Sequence, residues 1–139
     1  MTQEDKRTCL LKDLCARLPY NVRVEYNGTT LTNIFDVLGI AHGRIVLCLP
    51  FMSKTECPLI EEVKPYLFPL SSMTDEQKRE YYSLKHEVPV CHYEYGDVVE
   101  EFELYDSPES FEYLIENHFD YRGLIPMGLA IDATGQNVY

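Results

Sequence analysis

The sequence predicts an α+β fold: an N-terminal helix, a small SH3- or Sm-like β-meander or barrel, then a helix, a β-hairpin and a second helix packed as one compact unit. Three observations predict it. Leucines recur at helical spacing (Leu10, Leu11, Leu14, Leu18) and stop at Pro19. Three short β-branched-rich stretches then follow one another through tight turns. After Met73 come a capped helix, two alternating strands and another capped helix. A hydrophobic content of 45% over 139 residues is enough for a core, and 25% charged residues is too few for disorder.

Thr2 is a helix cap, with Glu4 and Asp5 in the first turn where the helix dipole favours them, so the first helix is expected over residues 3–18. Val22, Val24 and Tyr26 alternate with Arg23 and Glu25, the pattern of a half-buried strand. Asn27-Gly28 is a strong hairpin-turn signal, Thr29 to Leu38 is the return strand, and Gly39 to Gly43 is a second turn. Arg44 to Leu49 is an apolar third strand ended by Pro50, and Leu59, Ile60 and Val63 supply a last short strand or single helical turn. So short a meander has to curl or be covered to remove its edges, hence the barrel expectation.

Residues 64–73 contain two prolines and two serines and are expected to form an ordered connector, with Tyr66, Leu67, Phe68 and Leu70 buried. Thr74 and Gln77 form a capping box for a helix to about His86, with Gln77, Tyr81 and Leu84 on its inner face. Val90–Tyr95 and Val98–Tyr105 are strands around a Gly96-Asp97 loop. Ser107-Pro108 starts the last helix, whose Phe111, Leu114, Ile115 and His118 share a face, and 124–131 is a buried irregular return. The expected division is 1–70, the helix and barrel-like part, and 71–139, an acidic α+β part packed on it. The expected core is Leu10, Leu14, Leu18, Val22, Val24, Ile34, Ile45, Leu47, Leu67, Leu84, Phe102, Leu104, Phe111, Leu114 and Ile131.

Charge is segregated. Residues 1–86 carry 11 basic and 11 acidic side chains, while 87–139 carry 12 acidic side chains and the single cation Arg122, so the whole net charge of -11 sits in the C-terminal part. A one-signed surface repels nucleic acid and membrane phosphates and attracts a basic partner. Direct nucleic-acid and membrane binding are therefore not expected, and Arg23, Arg44, Lys54 and Lys64 are too few for a phosphate footprint. An odd five cysteines without paired spacing, and an N-terminus charged from Glu4 onwards with no apolar signal-peptide core, lead to a cytoplasmic expectation.

No catalytic motif is recognisable. His86, Cys91 and His92, with Cys57, are the nearest approach to a metal set, but adjacent Cys91 and His92 point to opposite faces of a strand. An acidic neighbourhood disfavours a thiolate at Cys91. Arg122 is expected to pair with one of the surrounding carboxylates and clamp the 120–123 turn. No cofactor and no metal are expected. The carboxylates form the candidate partner-binding face: Glu94, Asp97, Glu101, Glu103, Glu109, Glu112 and Glu116. Alternation sets Glu101 and Glu103 on one strand face and Glu100 on the other, partly buried with Phe102 and Leu104.

Two stretches, KPYLFPLSSMTDEQKREYYSL (64–84) and NHFDYRGLIPMGLAIDATGQNVY (117–139), together with LLKDLCARLPYNVRVEYNG (10–28), resemble a family of small proteins encoded in gut Bacteroidales genomes, their prophages and related bacteriophages. Residues 29–63 and 87–105 match least. The resemblance carries no activity and no catalytic residue; it implies a cytoplasmic accessory protein of viral or mobile-element origin. The expected function is thus a non-enzymatic interaction protein whose acidic C-terminal face binds a protein partner that is basic or itself binds nucleic acid. Two alternatives stay open: an anti-defence, DNA-mimic-like inhibitor of a host nuclease or DNA-binding complex, and a small enzyme of unknown reaction.

Overall fold

The computed structural model describes residues 2–26, 34–42, 44–48 and 55–139. The Asn27-Gly28 turn, the start of the return strand at Thr29, and the strand end at Leu49-Pro50 lie outside the described residues. The fold is α+β, with an N-terminal helix followed by a sheet. The chain divides into two compact units, one of Met1–Ser72 with Ile115–Tyr139 and the other of Met73–Leu114. One boundary lies between Ser72 and Met73. The other falls inside the acidic part, whose last residues return to the first unit.

Helix α1 (Gln3–Arg17) opens on a capping box in which Thr2 Oγ1 accepts from the Asp5 N–H at 3.1 Å and the Thr2 N–H donates to the Asp5 carboxylate at 3.0 Å. These bonds hold the Asp5 carboxyl below its usual pKa. Pro19 ends the helix in a 3-10 turn, Leu18–Tyr20. Strands β1 (Arg23–Glu25), β2 (Ile34–Ala41), β3 (Arg44–Cys48), β4 (Thr55–Glu56), β5 (Lys64–Leu67) and β8 (Ile131–Asp132) form one sheet in the order β4-β3-β2-β1-β5-β8. All its pairings are antiparallel except β5 with β8. Among the described residues no ladder joins the end strands β4 and β8.

β2 runs on through Gly39 to Ala41, into the expected Gly39–Gly43 turn, with a bulge at Val37/Gly39 beside the exposed Leu38. The expected connector contains a strand. Pro65 is compatible with β5 because β8 pairs only with Tyr66 and Leu67, leaving that edge open beside the proline. Tyr66 and Leu67 are buried there, while Leu70 is exposed.

The core of the first unit gathers Leu10 and Leu14 of α1 with Val22, Val24, Phe35, Val37, Ile45, Leu47, Ile60, Val63, Leu67, Leu124 and Ala130. Alternation does what the sequence predicts here: Val22 and Val24 point in, while Arg23 pairs across the strands with Asp36 at 3.1 Å. Leu18, Ile34 and Ile131, also expected inside, are half-buried.

The second unit holds α2 (Asp75–Leu84), β6 (His86–Glu94), β7 (Asp97–Tyr105) and most of α3 (Pro108–Glu116). Thr74 and Gln77 form the expected capping box, and Ser107 Oγ accepts from the Ser110 N–H at 3.0 Å to start α3. Of the core residues expected in this segment, Leu114 is buried, but Leu84, Phe102, Leu104 and Phe111 are exposed. Among the described residues no helix is long and apolar enough to cross a membrane.

Candidate functional site

β6 and β7 pair only with each other, from His86↔Tyr105 to Glu94↔Asp97. Their loop is Tyr95-Gly96, one residue earlier than the Gly96-Asp97 expected. Both loop residues have positive φ, 52° and 85°, the conformation of a type I′ turn. That turn takes glycine at its second central position, which is where this register puts Gly96.

Residues opposite one another share a face, so the register defines two faces of the ribbon. One carries Glu94, Asp97, Glu101 and Glu103 with His86, His92, Val88, Val90, Val99 and Tyr105. The other carries Tyr93, Val98, Pro89, Phe102, Leu104 and Cys91, with Glu87 and Glu100. Neither face is covered: only Val90 and Val99 are even half-buried. Tyr93 is 81% exposed, Tyr95 98%, Val98 63% and Phe102 62%. Glu100 sits with Phe102 and Leu104 as expected, but it is exposed because that face has no core above it.

Four of the seven candidate carboxylates are thus brought onto one face, Glu94, Asp97, Glu101 and Glu103. Glu109, Glu112 and Glu116 are exposed on α3. The ribbon as a whole bears six carboxylates and no lysine or arginine. Two side chains lie against these carboxylates. Tyr105 donates its hydroxyl to Glu103, which raises the tyrosine pKa, and His92 Nε2 lies 3.8 Å from Glu94. Cys91 and His92 fall on opposite faces, and among the described residues no group of three or more His, Cys, Asp or Glu could hold a metal ion.

The rest of the second unit is polar and aromatic. Tyr81 stacks on Tyr113 at 6.3 Å, and their hydroxyls donate to Asp106 and Glu80. Burial and the bonded carboxylates raise both phenols, Tyr113 to about 12. Lys85 lies over the Tyr81 ring at 4.8 Å.

The first unit contains a buried ionic cluster that the sequence did not suggest. Arg17 and Asp13 of α1 are both fully buried, with Arg17 Nε donating to Asp13 at 2.7 Å and Nη2 donating to the Phe119 carbonyl at 2.6 Å. The i,i+4 spacing was visible, but a lone pair on a helix ordinarily lies on its wet side. Arg122 Nε lies 3.6 Å from Asp13, a carboxylate of α1 and not one of the acidic part. The 120–123 turn is held instead by Asp120, whose carboxylate accepts from the Leu124 and Ile125 N–H groups at 2.8 and 2.9 Å. Nearby, His118 stacks on Tyr139 at 3.7 Å, and burial, helped by Arg17 and Arg23, pushes its pKa down to about 4. The Tyr139 hydroxyl donates to the Tyr66 carbonyl at 2.8 Å and accepts from the Arg23 N–H at 2.9 Å. Asp13, Arg17, Arg122, Asp120 and Tyr139 each tie backbone or charge within the unit, the work of a structural network, whereas the buried His118 Nδ1 has no hydrogen-bond partner among the described residues.

No protein-family model, no curated protein and no solved structure matches the chain.

Proposed function

We propose that the chain is a non-enzymatic interaction protein that presents its acidic ribbon to a basic protein partner. The observation behind this is the ribbon itself: six carboxylates without a lysine or arginine, on a two-stranded element whose large apolar side chains are exposed on both faces. Like charges placed side by side oppose folding, so their accumulation on an element that adds no core favours a role in recognition. By its chemistry the partner is a polypeptide rich in lysine or arginine, including one that binds nucleic acid. A cytoplasmic accessory role in a phage or mobile element accompanies this reading, supported by the resemblance of 64–84 and 117–139 and by five cysteines that are all free thiols.

The DNA-mimic alternative requires carboxylates repeating as phosphates do. On the acidic face of β7 the row Asp97, Glu101, Glu103 is interrupted at Val99, which favours a polypeptide partner over mimicry of a regular polyanion. Affinity capture from host lysate with the wild type and with the triple variant Glu94→Gln, Glu101→Gln, Glu103→Gln tests the proposal. Capture should fall in the variant, and in the wild type it should weaken as salt shortens the screening length to roughly 10 Å at 0.1 M. Undiminished capture by the variant would refute the electrostatic reading.

A further inference from the structure

The ribbon has unfinished backbone as well as charge. Neither β6 nor β7 pairs with any other strand among the described residues, so within them each has a free edge. The two edges differ. A two-residue loop is closed by a hydrogen-bonded pair, here Glu94 with Asp97. Bonded and non-bonded pairs then alternate along the register. Tyr93–Val98, Cys91–Glu100, Pro89–Phe102 and Glu87–Leu104 are therefore the non-bonded pairs, whose backbone groups point away from the ribbon. On β6 one of these is Pro89, which has no N–H and blunts that edge. On β7 the row Val98, Glu100, Phe102, Leu104 is unbroken. The same residues lie on the apolar face. A strand added to β7 would satisfy the outward donors and acceptors and extend the cover over Val98, Phe102 and Leu104 together.

We infer that β7 is a docking edge, to which an extended segment of the partner, alternating apolar and cationic side chains, adds as an antiparallel strand. This rests on the basic-partner reading above and narrows it from a charged surface to a backbone-paired peptide. Antiparallel pairing is the more stable ladder per residue. Partner residues opposite Val98, Phe102 and Leu104 share the apolar face, and those opposite Glu101 and Glu103 share the acidic one. A second copy of the chain is the wrong occupant. β7 laid antiparallel on itself would crowd Asp97, Glu100, Glu101 and Glu103 against their own kind.

The test titrates the whole chain with a blocked peptide of alternating valine and lysine as long as β7, and with two versions N-methylated on every valine or on every lysine. In the inferred geometry the valine N–H groups face β7. Methylating them should weaken binding at least about tenfold, while methylating the lysines changes it less than about threefold. Phe102→Pro removes an outward donor without touching the β6–β7 ladder and should also weaken binding about tenfold; if that variant fails to fold, the peptide pair decides alone. Equal effects of the two methylation patterns, or a loss confined to the lysine pattern, overturn antiparallel strand addition. In that case, binding that still falls with salt and in the triple glutamine variant leaves the electrostatic reading standing. No binding of the unmodified peptide at low salt refutes both. A wild-type dimer that Phe102→Pro dissociates in sedimentation would place a second copy on the edge and overturn the inference.

Discussion

Residues 73–114 and the rest of the chain are held together by different means. The first unit has an apolar cluster drawn from a helix, four strands and the returning C-terminal segment, with a buried ionic network beside it. In 73–114 the buried side chains are Met73, Ser107, Ser110 and Leu114, and order comes from two helix caps and tyrosine–carboxylate hydrogen bonds. Buried and exposed apolar side chains are thus separated along the sequence. The apolar residues of the ribbon are not consumed by a core, which leaves them free for contact with another molecule.

The sharpest way to probe that contrast is Asp13→Ala. It strands the fully buried Arg17 without its carboxylate, and should cost about 3–5 kcal/mol in urea unfolding. Leu14→Ala, at a site with no exposed surface, should cost about 2–5 kcal/mol by the same measurement. Acid should weaken the first unit through His118. Its folded pKa is about 4 against an ordinary 6.5, so the unfolded chain takes up the proton first. The contribution is whole above pH 6.5 and is lost as pH falls towards 4. Urea midpoints at the two ends of that window should therefore differ more for wild type than for His118→Gln. At the small end, Phe102→Ser or Tyr93→Ser should move stability by no more than about 0.5 kcal/mol. A cost of several kcal/mol from either ribbon change would erase the contrast and make the ribbon face part of a core.

Helix caps and the half-buried elements of the first unit were legible in the sequence. The Thr2, Thr74 and Ser107 caps, the Leu10/Leu14 stripe and the Val22/Val24 alternation all reappear in the structure. The ribbon was legible as two strands, and its faces followed from period two. Its exposure was not. Phe102 and Leu104 alternate with glutamates just as core residues would, and alternation alone says which residues share a face, never whether anything covers it. The hint lay in β6, where Val88-Pro89-Val90 puts apolar residues on both faces. Arg17 and Asp13 failed for the opposite reason. Charged residues are presumed wet, and only tertiary contacts from Phe119 and Arg122 show that this pair is enclosed.

The parallel pairing of β5 with β8 has a consequence in time. Tyr66 and Leu67 must wait for Ile131 and Asp132, with the whole of 73–114 in between. Long-range pairings of this kind raise contact order and slow folding, because closure entropy is lost before the contact is gained. During synthesis the helix and the first five strands leave the ribosome well before their last partner does. Until then that side of β5 is a bare edge, and the acidic stretch from Glu87 emerges before β8 does, placed where like-charge repulsion can keep nascent chains apart.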